Sequence, residues 1–408
     1  MDYRTIDDMY DRGTLVRLTD LWTPGLARYS HRAAVVIDIE VLGYPRTITR
    51  QEQGVALSRK YDCVYTVAFA PDGQRGELSR DQVSVIRVIS LDIESATAPE
   101  QNSKDFAAWC TKEFCGIEPE PTWTNAEQGR GSFVGGTVLP HTIPMYEARH
   151  RPADHRNKSL AAIDSVRQRL DELHPDVIVL ASTHWMPRDG FFIDDGAEHA
   201  DGCDASYQGI EPQLFSFPGD PELAALIGNL ARRAGLPVRR LHRVAQEHAV
   251  WVPGQLLCGA RRTALVPCSI WWRGPREAHR LFGETIGEAV RQLGRRAFFV
   301  ASGGLSHTFD FSQPPEYVVP AGEHFDRLAK EWLEKGHHGR LLDMNDDDFE
   351  AWNPEGRAGH LYMLRGALGK DVEGKALCYQ GSNGTGYLTM LFENDESKGE
   401  GMEIKENS

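Results

Sequence analysis

Three histidines share an unusual setting. His141 follows the run GSFVGGTVLP, His184 follows VIVLAST, and His307 follows FFVASGGLS, so each stands just past an apolar stretch of the kind that makes a buried strand. In open α/β sheets the crevice beyond the carboxyl ends of the strands is where ligands bind. A single histidine there most often only bonds a backbone group, but three in parallel settings point to a shared site. A fourth, His248, lies in QEHAVWVPGQ. Two neutral imidazoles and one carboxylate on one face of a metal suit iron(II) and leave positions open for substrate and oxygen. The 59 Asp and Glu residues are too many for composition to choose the acid. Other histidines, such as His324, His337 and His338, sit in polar surroundings that predict solvent exposure.

The elements that must carry these residues are legible from periodicity. Leu160, Ile163, Val166, Leu170 and Leu173 recur at helical spacing, and Pro175 stops that helix before the apolar strand Val177 to Ala181. A strand over Arg262 to Trp272, a helix over Pro275 to Leu293 and a strand over Ala297 to Ala301 repeat the theme. Helices over Pro221 to Ala234, near Phe325 to Glu334 and after Gly356 complete it. Continuous apolar strands alternating with helices predict an α/β fold, a central mostly parallel sheet flanked by helices. Residues 1–125 read differently: Ala33 to Leu42, Asp62 to Ala70 and Val83 to Ile93 are β-branched segments of a smaller α+β domain with no assignable chemistry. The stretch IEPEPTWTNAEQGRGS is the expected linker, and the polar tail 393–408 is expected to fray.

Composition narrows the function classes. A formal net charge of -14 argues against a nucleic-acid partner, which needs clustered Lys and Arg to neutralise phosphates. The sequence has no apolar run approaching the ~20 residues that cross a bilayer, so no membrane partner is expected. The N-terminus MDYRTIDDMYDRG lacks a signal-peptide apolar core, which predicts a cytoplasmic protein. Seven scattered cysteines without a C-x-x-C pair suggest neither a disulfide framework nor a cysteine zinc site. Homo-oligomerisation is the default for a soluble enzyme.

Residues 131–392 resemble the class III extradiol dioxygenases, the family that includes the catalytic subunit of protocatechuate 4,5-dioxygenase and the dihydroxyphenylpropionate ring-cleavage enzymes. The segment GGTVLPHTIP ending the first strand, the VIVLASTH run and above all SGGLSH, Ser302 to His307, carry the resemblance. The family places a glutamate at the opening of a late helix, and NPEGR, with Glu355, fits it; Glu350 is the weaker match. Glu247 and His248 look like the family's Asp-His pair. Pro140 stands where many members have serine, and Ser182 and Thr183 replace a common Asn-Asp, which suggests a divergent subgroup.

The resemblance implies His141, His184 and Glu355 as ligands of Fe(II), O2 as co-substrate, and His307 and His248 as acid/base groups. The substrate would be a small aromatic with adjacent hydroxyls, or an aminophenol or dihydroxypyridine. Trp185, Trp251, Trp271 and Trp272 are possible wall residues, and Arg188, Arg273 and Arg357 possible partners for a substrate carboxylate. Two other readings stand beside this one: a zinc hydrolase or amidase on a related metal site, and a non-catalytic binding protein of the same fold.

Overall fold

A computed structural model of the chain describes residues 131–151, 154–202, 213–244, 246–258, 263–369 and 372–393, with shorter stretches at 2–6, 15–18, 26–29, 32–41, 48–52, 55–59, 63–70, 80–89, 93–95, 106 and 109–110. Residues 117–130 of the expected linker 117–132 and residues 394–408 of the expected tail 393–408 lie outside the described residues, while Ser132 opens one strand and Glu393 ends another. The chain divides into two compact units. One takes Met1–Asn125, Cys203–Ile210 and Arg240–Ala245; the other takes Ala126–Gly202, Glu211–Arg239 and Gln246–Ser408.

The smaller unit contains an antiparallel path Ser84–Ile89, Cys63–Phe69, Ala33–Val41, Leu15–Leu18, Ile93–Ser95. The three β-branched segments anticipated from the sequence supply its first three strands. Arg243–Val244 adds in parallel to Ala33–Val41, pairing with Glu40 and Val41. Val35 and Ala68 bury a small cluster with Phe106 and Cys110. Asp2–Ile6, Val55–Arg59 and Ile48–Glu52 form a further three-stranded sheet.

The larger unit is built on an eight-stranded mixed sheet in the order Val238–Leu241, Phe191–Asp194, Ala264–Ser269, Val177–Ser182, Arg296–Ser302, Ser132–Leu139, Thr385–Glu393, Gly374–Ser382. Its four central strands, from Ala264–Ser269 to Ser132–Leu139, run parallel, while Phe191–Asp194 and Thr385–Glu393 join them antiparallel. Every residue of Val177–Ser182 is buried, as its unbroken apolar run requires of a strand covered on both faces. Helices Asn157–Leu173, Pro221–Arg233, Arg276–Gln292, Pro320–Glu334 and Gly359–Leu368 flank the sheet close to their expected positions. Asp220 caps the helix that Pro221 opens, accepting from Leu223 N at 3.0 Å, and also pairs with Arg295.

One exposure expectation is corrected. His324 and His337 are exposed, but His338 is 1% exposed. Its Nε2 donates to Val372 O at 2.8 Å and its ring packs against Phe392, so a long-range carbonyl and an aromatic edge outweigh its polar sequence neighbours. Among the described residues no helix is long and apolar enough to cross a membrane. Cys110, Cys258, Cys268 and Cys378 are free thiols, and burial pushes Cys258 up to about 12.

Candidate metal centre

The parallel strands end level with one another. Pairing sets Ser182 opposite both Ser269 and Ser302, and Ser302 opposite Leu139. His141 and His184 each stand two residues beyond those ends, and their rings meet edge to face at 4.8 Å. Register alone therefore delivers two imidazoles to one point.

Hydrogen bonds then decide which nitrogen each element presents. The Ser302 hydroxyl donates to Ala249 O at 2.6 Å, so its oxygen accepts from His141 Nδ1 at 3.0 Å. That places the imidazole proton on Nδ1 and leaves the Nε2 lone pair free to bind a cation. Burial lowers the His141 pKa and outweighs the neighbouring Glu355 charge, favouring the neutral ring a metal needs.

Glu355 faces that lone pair. Its Oε1 lies 3.2 Å from His141 Nε2 and 3.2 Å from His184 Nε2. Thr183 Oγ1 donates to Oε1 at 2.8 Å, and the Gly304 amide donates to Oε2. Burial disfavours the carboxylate, but the surrounding imidazoles and donors hold its pKa well below the usual range. A Cβ on Gly304 would sit 3.1 Å from Glu355 Oε2 and 2.9 Å from Gly386 O, so the close amide approach calls for glycine.

Glu355 does not open a helix, as the family pattern had suggested, but a 3-10 turn. Gly356, Arg357 and Ala358 take φ of 53°, 52° and 59°, and the helix starts at Gly359. This left-handed stretch is strained for Arg357 and Ala358, and it is held by Glu355 N to Leu305 O at 2.8 Å and His307 N to Asn353 O at 2.9 Å. Glu350 is elsewhere: it sits on the helix Asp346–Trp352, 64% exposed, and accepts from Arg357 at 2.8 Å.

His248 opens the helix His248–Cys258 and is 1% exposed, its ring 4.2 Å from that of His184 and 5.2 Å from that of His141. Ligand atoms of His141, His184 and His248 all lie within 4.8 Å of one another. Glu247 beside it accepts from Ser182 Oγ and from Ala249 N, and Ser182 Oγ accepts from His184 N at 3.1 Å and Trp185 N at 3.2 Å, which fixes the turn bearing His184.

His307 completes the ring of groups, with Nδ1 3.7 Å from Glu355 Oε2 and no hydrogen bond to that nitrogen among the described residues. Its position is set by its neighbour. Ser306 N and Oγ donate to the fully buried Asp326 at 2.8 and 2.7 Å, and Trp352 Nε1 and Tyr379 OH donate to the same carboxylate at 2.7 and 2.8 Å. Side chains of His184 and His307 are 23% and 29% exposed against 2% for His141 and 6% for Glu355, so the cluster opens to solvent on the His184 and His307 side.

The structure thus brings together all five residues expected from the sequence. Ser302, Thr183 and Asp326 were not anticipated, because nothing local marks a serine, threonine or aspartate as a long-range partner. Trp251 is core, edge-on to Tyr146 at 5.1 Å, whereas Trp271 is half-buried with its ring N–H on Arg188 O. Arg357 is committed to Glu350, and Arg188 and Arg273 are exposed.

Residues 135–390 match the family described as the catalytic LigB subunit of aromatic ring-opening dioxygenase. The chain belongs to this family. It is thereby an extradiol ring-cleaving dioxygenase, similar over 255 residues, at 26% identity, to a 3,4-dihydroxyphenylacetate 2,3-dioxygenase of Escherichia coli, covering 59% of this chain and 92% of that one. A 2-aminophenol 1,6-dioxygenase beta subunit of Pseudomonas is 26% identical over 52% of this chain and 76% of its own length. A Clostridium acetobutylicum protein, CA_C1420, is 35% identical over 29% of this chain and a quarter, 25%, of its own length.

Proposed function

We propose that this dioxygenase uses non-haem iron(II) to add both atoms of O2 to a catechol-type ring, or to an aminophenol or dihydroxypyridine, and opens it beside the hydroxyls. The observation that carries the reading is the convergence of His141 Nε2 and His184 Nε2 on Glu355 Oε1, each at 3.2 Å. Two neutral imidazoles and a carboxylate are the donor set that suits iron(II) with open positions. His141, His184 and Glu355 would hold the metal, which when bound supplies a redox-active Lewis acid that acidifies substrate hydroxyls and engages oxygen.

The remaining chemistry falls to side chains. His307, whose Nδ1 is uncommitted among the described residues, holds or delivers a proton at the reacting face. His248, buried against both ligand rings, hydrogen-bonds a substrate hydroxyl and accepts its proton. The burial of His141, His248 and Glu355 restricts water to the His184 and His307 side of the cluster. The names of the relatives, a dihydroxyphenylacetate and an aminophenol dioxygenase, support the catechol and aminophenol classes. The same reading includes a homo-oligomer in the cytoplasm, whose subunit count sedimentation would give.

A second reading, a zinc hydrolase or amidase, has its own observation: the His141, His184 and His248 cluster is a three-imidazole set of the kind that holds catalytic zinc. One experiment separates the two. Protein prepared anaerobically is loaded with iron(II), its bound metal is measured, and oxygen uptake and near-ultraviolet absorbance are followed with catechols, gallates, aminophenols and dihydroxypyridines. Iron-dependent uptake with a yellow ring-opened product is expected. Retained zinc with no uptake on any substrate would overturn the iron reading.

A further inference from the structure

Beside the open side of the cluster lies a pair of largely exposed rings. Phe309 and Phe311 are 54% and 75% exposed and, with Val85, are the exposed large hydrophobic residues among those described. Their rings stack in parallel, centroids 5.5 Å apart at 5°, and Phe309 meets the ring of His307 edge to face at 4.8 Å. The loop that presents them is pinned along its length. Asp310 N donates to Asn383 O at 2.8 Å, Asn353 Nδ2 donates to Thr308 Oγ1 at 3.0 Å, and the Asp310 carboxylate accepts from Ser312 N and Oγ at 3.0 and 2.6 Å. Two stacked aromatic rings held rigidly in water are an unfavourable surface unless a ligand covers them.

Charge on the loop says which ligand. Between His307 and Arg327 the sequence has no Lys or Arg; Glu323 pairs with Arg327 and Asp326 is buried in its own hydrogen bonds, which leaves Asp310 and Glu316, so the loop offers a carboxylate laid along the rings repulsion and no cation of its own. We infer that Phe309 and Phe311 form a specificity rim that selects diol or aminophenol rings extended by a flat, uncharged apolar group, and disfavours those extended by a carboxylate. The inference rests on the proposed function, since it takes the His307 side as the entrance for the ring.

The test compares catechol, 4-phenylcatechol and 3,4-dihydroxyphenylacetate in iron-loaded protein, by turnover and by anaerobic calorimetry. The wild type should prefer 4-phenylcatechol over catechol and catechol over the carboxylate. Phe311→Ala should cut the phenylcatechol-to-catechol ratio by about tenfold, through KM, as loss of a stacked aromatic contact predicts, and Phe311→Tyr, which keeps the ring, should restore it. A merely structural role would lower both substrates alike and leave the ratio in place. If no substrate turned over, the dioxygenase reading would fail while the calorimetric ratio still decided the rim. A ratio near one in the wild type, or one unmoved by Phe311→Ala, overturns it.

Discussion

The hydroxyl of Thr183 donates to Oε1 of Glu355 across 2.8 Å, tying the residue before one imidazole to the carboxylate that faces two. The bond places the acid through the strand that also places His184. Glu355→Gln should therefore abolish tight metal binding, and Thr183→Val should weaken it by about tenfold, as loss of an outer-shell partner typically does. Glu350→Gln should leave it intact. Metal content after dialysis reads all three; full metal in Glu355→Gln would refute the ligand assignment.

Ser302 makes a tautomer argument testable. Its alanine variant loses the acceptor that keeps the His141 proton on Nδ1, so divalent-metal affinity should fall on the order of 10–100-fold. Competition against a chelator of known affinity measures the drop, and an unchanged affinity would mean that Nε2 needs no such help.

His307 lies in the cluster and, in the proposed function, is not one of the three metal ligands. His307→Ala should retain metal and lose about 10²–10⁴-fold in kcat, the usual worth of a positioned acid or base. His141→Ala should lose metal and turnover together. Parallel loss of metal in both variants would erase the division of roles.

Asp326 accepts from two Ser306 groups, Trp352 and Tyr379. In Asp326→Asn the amide turns a donor toward donors, and stranding those buried groups should cost about 3 kcal/mol of stability. Urea unfolding followed by tryptophan fluorescence checks this; the same variant should lower kcat by loosening His307.

His279 gives a pH signature. Burial, opposed by the hydrogen bond from Nδ1 to Pro275 O, lowers its pKa to about 4. Its folded pKa is below the unfolded value, so at acid pH the unfolded chain binds a proton the native one refuses. Its contribution is complete above the unfolded pKa of 6.5 and is lost as pH falls toward about 4. That loss should amount to about 3 kcal/mol, visible as a falling denaturation midpoint between those limits and flattened in His279→Gln.

Much of the catalytic unit was legible because apolar runs and their period encode strands and helices directly, and a histidine just past such a run inherits its position. The acid was not legible that way. Glu355 reaches the imidazoles through three consecutive left-handed residues, a geometry no periodicity reveals, and only likeness to a family singled it out. His338 misled because its partners, Val372 and Phe392, are distant in sequence. Nothing in the sequence marks Phe309 and Phe311, because residue type alone does not say which aromatic rings face water.

The smaller unit is assembled from three separate stretches of chain, and Arg243–Val244 pairs with the strand Ala33–Val41. During synthesis residues 1–125 leave the ribosome well before Arg243–Val244 exists, so Glu40 and Val41, at the end of the interior strand Ala33–Val41, wait without that partner while much of the larger unit is being made. A fragment cut at the end of the first stretch would lack that pairing permanently. The two units are therefore separable on paper but not with a single scission, and any dissection of this enzyme must carry the returning segments along.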